Sequence, residues 1–296
     1  MATLNYAEKY LSALTAQFPY VLRFGALWNA VKPEVNFVDA KTVHIPSLRV
    51  GGRSNGNRDT IGQFTRNFDN DWETKTLQRH RIWQTLVHPK DIIETNQVAT
   101  IANITKTMNE TQKFPEMDAI MVDSLYKEKN SASAVAANAK GSLTVENVLT
   151  KFDELMDQMD EANVPSAGRL LYVDTYTKTL IDNAVAISRS SGEGNLNRIV
   201  SRIDEVEVIS VPTRAMKTAY TFTENGFAVA GSAKNIKLML VHPNVVIPVV
   251  SYEFAQLGEP NSLSQGKWTY FEESFEDVFV YEKLLAGLEF YVEEVE

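Results

Sequence analysis

Apolar residues recur every three to four positions in two long stretches of the chain, and that spacing predicts helices. Over 95–129, Thr95 reads as an N-cap, with Val98, Ile101, Ile104 or Thr105, and Met108 following on one face. Phe114-Pro115-Glu116-Met117-Asp118 reads as a fresh helix start, with proline at the first position and acids in the first turn. Ile120, Met121, Leu125 and Tyr126 continue its stripe. The clearest period belongs to the next helix. Thr144 is its expected cap, Val145, Val148, Leu149, Phe152, Leu155, Met156 and Met159 form its apolar face, and Pro165 ends it.

Strand patterns surround these helices. Arg169 to Asp174 reads as a strand, with Asp174 capping a short helix to about Ala184. Glu205 to Val211, Lys237 to Val241, Val245 to Phe254 and much of Trp268 to Val292 carry the same signal. Residues 130–142 and 188–198 are small and polar and predict connectors, the first of them a domain boundary.

Two segments fit neither pattern cleanly. Tyr6 to Phe18 predicts a helix ended by Pro19, and Phe18, Tyr20, Leu22, Phe24, Leu27 and Trp28 crowd together without a clean period. So much apolar surface needs cover, from its own domain or from another subunit. Over 42–88, Thr42 to Leu48 and Thr74 to Val87 predict a hairpin around the turn-rich stretch 51–59. In that register Lys75, Arg79 and Arg81 share one face, and Thr74, Thr76, Gln78 and His80 the other. A hairpin polar on both faces has no core of its own and must rest on something else.

Composition adds boundaries. The chain has 296 residues, 44% hydrophobic and 10% aromatic, enough for a sizeable core. Cysteine is absent, which removes disulfides, thiolate metal sites and cysteine nucleophiles. Neither a secretory signal nor a long apolar run is visible, so a chain made soluble in the cytoplasm is expected. Net charge is −9, which argues against a dedicated nucleic-acid binder, but its distribution says more. Residues 1–90 carry a net +5, residues 91–244 a net −5, and residues 245–296 a net −9. A basic first third and an acidic tail attract each other within one chain or between neighbours, or are two separately solvated faces.

The chemistry-bearing motifs are thin. Gly52-Arg53-Ser54-Asn55-Gly56 matches the nucleophile elbow G-x-S-x-G, but a polar loop follows it in place of the helix that chemistry needs. His80, His88 and His242 offer no distinctive acid partner, and the four histidines lack metal-ligand spacing. His88-Pro89 and His242-Pro243 read as turn chemistry. No phosphate-binding glycine motif occurs. Asp153-Glu154 and Glu272-Glu273 read as solvated faces. Asn103-Ile104-Thr105 and Asn109-Glu110-Thr111 match the glycosylation pattern inside an expected helix, where chance is the better account. The expectation is a protein that is not an enzyme, with no catalytic residue, cofactor or metal.

The order of these parts carries a resemblance. Phe68-Asp69-Asn70-Asp71-Trp72-Glu73-Thr74-Lys75-Thr76-Leu77 resembles the returning strand of the extended loop in Hong Kong 97-type major capsid proteins of tailed phages, those of Gram-positive hosts in particular. Glu94-Thr95-Asn96-Gln97, Ala102-Asn103-Ile104 and Phe114 to Ala119 resemble their peripheral-domain helices. Val164-Pro165, Arg169 to Val173, Val211 to Met216 and Leu240 to Pro243 resemble the axial-domain strands and the return to the peripheral domain. The resemblance implies an α+β capsid fold. Its parts would be an N-terminal arm (1–35), an extended β-hairpin loop (36–88), a peripheral domain with a long helix (89–142 and 243–296) and an axial domain (143–242).

It also implies a subunit that assembles into pentamers and hexamers of an icosahedral virion shell. That shell encloses double-stranded DNA without reading its sequence, has no membrane, and works with a portal and a separate scaffolding protein. An encapsulin-like nanocompartment, a hydrolase built on Ser54 and a soluble binding module remain alternatives. The expected contacts between subunits are Arg53, Arg58, Arg66 and Trp72, with arm cations meeting acids of a neighbour.

Overall fold

The computed structural model describes residues 20–30, 36–37, 41–53, 66–95, 99–132, 142–189 and 200–293. The expected helix Tyr6 to Phe18, the Ser54 motif, Arg58 and most of the connector 188–198 lie outside them. In chain order the helices are α1 (Gly25–Trp28), α2 (Pro89–Glu94), α3 (Ile101–Met108), α4 (Phe114–Ala132), α5 (Val148–Glu161) and α6 (Thr175–Arg189). The strands are β1 (Asn36–Phe37), β2 (Thr42–Val50), β3 (Phe68–Thr76), β4 (His80–Val87), β5 (Leu170–Asp174), β6 (Arg202–Ile203), β7 (Val206–Val211), β8 (Tyr220–Thr223) and β9 (Gly226–Val229). Four more follow: β10 (Ile236–Val241), β11 (Val246–Gly258), β12 (Trp268–Val280) and β13 (Leu288–Val292).

A five-stranded sheet, ordered β13-β10-β5-β7-β6, forms the centre. All six residues of β10 are buried, as a strand covered on both faces requires. Leu171, Val173, Leu238 and Leu240 point to one face and meet Val148, Phe152, Leu155 and Met159 of α5 with Leu180 and Ile181 of α6. Tyr172, Met239, Val241 and Phe290 point to the other, against Ile120, Met121 and Leu125 of α4 and Phe24, Leu27 and Trp28 of the first described segment. A register shift between Ile236 and Leu238 breaks the alternation and sends Ile236 to this second side. The segment 243–296, expected as one part of a peripheral domain, contributes to two sheets: β13 edges the central one, while β11 and β12 pair in another.

Two expected helix starts are displaced. Thr95 ends α2 instead of opening a helix, its N–H bonded to the Asp91 carbonyl at 2.9 Å, and Thr100 is the N-cap of α3. Phe114-Pro115 opens no new helix. Helix α3 runs through a wider π turn, Asn109–Lys113, straight into α4. A proline inside a helix has no N–H to donate and its ring crowds the carbonyl four residues back, so a wide turn just before Pro115 is where both faults are accommodated. The result is one long helix from 101 to 132 where two were expected.

That helix holds the first described segment by a buried carboxylate. Asp118 accepts hydrogen bonds from the Tyr20 hydroxyl (2.7 Å) and from the N–H groups of Arg23 (2.9 Å) and Phe24 (3.1 Å). The apolar crowd at 20–28 is therefore covered by its own chain. Further along, Val148 opens α5 after a turn at 144–147, with the Asn147 side chain accepting from the Thr144 N–H, so the expected cap stands one turn early. Asp174 caps α6 as expected, accepting from the Thr177 N–H at 2.7 Å. The Nδ1 atoms of His88 and His242 accept from Lys90 and Asn244 N–H groups, so both histidine–proline pairs are helix caps.

Candidate functional site: a two-faced hairpin and its charged root

Strand β2 pairs with β3, Thr42 opposite Thr76 through Val50 opposite Phe68. This corrects the expected hairpin, whose second strand was placed at Thr74 to Val87. The chain leaves the hairpin at Leu77, and β4 pairs instead with β12 in a second sheet ordered β11-β12-β4. Leu77 is buried, the Gln78 N–H donates to Asp277, and Arg79 turns inward. A buried leucine beside an inward arginine cannot continue a solvated strand.

The observed register separates two kinds of side chain. One face carries Val43, Ile45, Ser47 and Arg49 with Asp69, Asp71, Glu73 and Lys75. Its root, Val43 and Ile45, is buried against Ile247, Val249 and Phe279. The other face carries Pro46 beside Trp72, Leu48, and Val50 beside Phe68. These side chains are open: Leu48 is 61% exposed, Val50 71%, Phe68 55% and Trp72 45%. The hairpin is thus not polar on both faces. Its distal half displays a row of large apolar groups that none of the other described residues covers.

The root is tied down by charge. Lys75 pairs with Glu73 (2.9 Å), Glu282 (3.5 Å) and Glu128 of α4 (3.7 Å). Burial alone would lower its pKa, but these three acids together raise it. Lys283 donates to the Leu48 carbonyl at 2.6 Å. Arg79 pairs with Asp123 of α4 and with Asp277 of β12, and Arg81 pairs with Glu116 while donating to the Thr223 carbonyl in the β8–β9 hairpin at 2.8 Å. Arm cations and tail acids do meet, and in these pairs they do so inside one chain. Glu272 and Glu273 are likewise not a solvated face: Glu272 is buried against Lys113, and His80 Nε2 meets Glu273 at 2.6 Å on the opposite side of β12. Asp153 and Glu154 are exposed, as expected.

Of the four residues expected at subunit contacts, the structure brings three to the hairpin. Arg53 and Arg66 lie exposed at its distal end, where Gly51 N–H bonds the Asn67 carbonyl. Arg66 donates to the Phe68 carbonyl at 3.0 Å and lies 4.8 Å from that ring's centre. Trp72 sits on the apolar face, 6.1 Å from the His44 ring. Leu48, Val50 and Phe68, which share this exposed face with Trp72, were not among the four expected residues. Their signal was present as spacing by two in Leu48 and Val50 and by four in Phe68 and Trp72, which alternation puts on one face once the strands are placed.

A cleft of about 820 Å³ opens beside the root, between β4, the π turn, α4 and the β8–β9 turn. Its charged lining is Arg79, His80, Arg81 and Lys113 with Glu116, Glu224, Glu272 and Glu276. Among the described residues no group of three or more histidines and acids is arranged to hold a metal ion. Nor is any described helix long and apolar enough to cross a membrane.

No protein-family model and no curated protein sequence matches the chain. Solved structures do. The mature capsid of bacteriophage PhiM1 superposes with a TM-score of 0.70 at 12% identity, over 99% of this chain and 93% of that one. The capsid of cyanophage P-SCSP1u gives 0.70 at 12%, over 98% and 94%. The fold is that of phage capsid chains. A chain of Mycobacterium phage Che8 matches at 0.60 and 13% identity, over 98% of each. The capsid fold therefore spans almost the whole of this chain, from the first segment and hairpin through the long helix and both large sheets, with nearly none of the sequence shared.

Proposed function

We propose that this chain is the major capsid subunit of a bacteriophage, a structural protein whose work is association with copies of itself and which catalyses no reaction. The observation that carries the reading is the uncovered apolar face of the hairpin, in a chain whose whole length has a capsid fold. Leu48, Val50, Phe68 and Trp72 cost solvation free energy in the lone chain and recover it only against another surface. Repetition in a closed shell makes many modest contacts collectively strong.

In this reading the subunit forms pentamers and hexamers of an icosahedral shell of the Hong Kong 97 type around double-stranded DNA, in the virion. Residues 1–35 serve as an arm, 36–88 as the extended loop, 143–242 as the axial domain, and 89–142 with 243–296 as the peripheral domain. Assembly calls on a separate scaffolding protein and a portal. Arg53, Arg58 and Arg66 steer the hairpin toward acids of the next copy, and the apolar row supplies most of the affinity. The solved structures named above come from phages, which favours this role over a bacterial nanocompartment.

Electron microscopy and sedimentation of the purified protein, with and without co-expressed scaffolding protein, test the reading. Closed shells are expected from the wild type. The double variant Leu48→Asp, Trp72→Asp is expected to stay monomeric with an unchanged circular-dichroism melt. Shells formed by that variant at the wild-type rate would remove the hairpin from the assembly mechanism. A wild type that stays monomeric under every assembly condition would remove the shell reading.

A further inference from the structure

The joint between the hairpin root and the long helix contains a buried carboxylate, Glu276, with no ion-pair partner among the described residues. Three cations line this joint, and each is already paired: Arg79 with Asp123 and Asp277, Arg81 with Glu116, Lys113 with Glu272. Glu276, on β12 between Glu272 and the Asp277 pair, joins none of these ion pairs. Its backbone N–H bonds the Arg79 carbonyl at 3.2 Å, which holds the strand against the residue that leaves the hairpin. Only 5% of its surface is exposed, and that surface opens on the cleft.

All but one of the elements packed around it bring charge. The π turn and α4 bring Lys113 and Glu116, the link into β4 brings Arg79, β4 brings Arg81, β12 brings Glu272 and Asp277, and Glu224 stands on the β8–β9 rim. On β11 the residue opposite is Val250, which is neutral. An ionised Glu276 is therefore one acid too many in a low-dielectric joint whose cations are committed.

We propose that Glu276 is a proton-operated latch: uncharged, it lets β12 and β4 close on the long helix, and ionised, it loosens that joint and with it the seat of the hairpin. The cleft gives water and protons access to the carboxyl. The titration lies in a useful range. Burial, opposed by Lys113 and Arg81 and reinforced by Glu116 and Glu272, pushes the Glu276 pKa up to about 7 from an ordinary 4.5. A folded-state pKa above the unfolded one stabilises the fold fully below the unfolded value, and that contribution disappears as pH rises through the folded value. The joint is thus tight at pH 5 and loosened above pH 7. The inference depends on the cluster alone and not on the capsid reading.

Hydrogen exchange of the full chain, read on peptides covering 268–280 and 114–132, tests it between pH 5 and 8.5 after correction for the intrinsic rate. Wild type is expected to lose protection there by on the order of a hundred-fold across the range, the equivalent of about two pKa units. Glu276→Gln, a neutral near-isostere, is expected to keep its pH 5 protection at pH 8.5. The wild-type minus Gln difference is the readout, because it cancels every other ionisation that the two proteins share. Equal slopes in wild type and Gln variant would overturn the latch. Should the variant fail to fold, wild-type protection that does not change between pH 5 and 8.5 would overturn it unaided.

Discussion

The hairpin and the central sheet use the same side chains toward opposite ends. Strand β10 is Ile-Lys-Leu-Met-Leu-Val and every residue of it is buried, between two helices on one face and the long helix on the other. Strand β2 begins with Val43 and Ile45 buried in its own chain, then continues with Leu48 and Val50 in solvent. Both strands carry branched aliphatic residues, but β2 interleaves them with Thr42, His44, Ser47 and Arg49, whereas Lys237 is the one polar residue of β10. They differ further in whether the described residues supply a second layer, and beyond residue 46 of β2 these do not. The central sheet buries its apolar side chains within the chain, whereas the distal hairpin leaves Leu48, Val50, Phe68 and Trp72 exposed.

The comparison can be broken from the core outward. Phe152→Ala removes a fully buried ring from the α5 layer and is expected to cost about 3–5 kcal/mol in chemical denaturation, with hairpin exchange unaltered. At the boundary between the two regions, Arg79→Met leaves Asp277 buried without its cation and Asp123 with Lys127 alone. A loss of about 3 kcal/mol is expected, together with faster exchange of β3 and β4. Asp118→Ala orphans the Tyr20 hydroxyl and two backbone N–H groups; a cost of about 2 kcal/mol and new proteolytic cleavage within 20–30 are expected.

Substitutions on the open face should barely register in folding. Leu48→Ala or Trp72→Ala is expected to change stability by no more than about 0.5 kcal/mol while slowing or abolishing particle formation by light scattering. A large loss of monomer stability from Trp72→Ala would mean that the hairpin face is covered within the chain, and the contrast would collapse. The smallest effect belongs to charge. Arg53, Arg58 and Arg66 changed together to Glu leave the monomer as stable as wild type and slow assembly, an effect that 1 M salt mimics, because the Debye length falls to about 3 Å. Assembly of the triple variant at the wild-type rate, indifferent to salt, would assign the whole drive to apolar contact.

Several of these assignments were legible before any coordinates. The α5 stripe, the Asp174 cap and the strands of the central sheet follow from local periods and caps, which short-range sterics and hydrogen bonding enforce wherever the segment lies. Helix α4 was half legible: its stripe could be read, but the proline looked like a start because nothing local announces a π turn. The hairpin was misread by its second strand. Thr74 to Val87 alternates well enough to pass as one strand, and only the burial of Leu77 and the inward pairing of Arg79 cut it in two.

Charge shows the same division. The basic first third and the acidic tail were countable, but not which acid would meet which cation, nor that Lys75, Arg79, Arg81 and Lys113 would find theirs within one chain. Sequence by itself determined α5, α6, the main strands of the central sheet, the absence of recognisable catalytic motifs and the sign of each region, because those depend on neighbours a few residues apart. Tertiary structure decided the register of the hairpin, the apolar face it leaves open and the unpaired Glu276 at its root. Those depend on pairings between residues as much as two hundred positions apart, such as Arg79 with Asp277, and a one-residue change in pairing would turn every hairpin side chain to the other face.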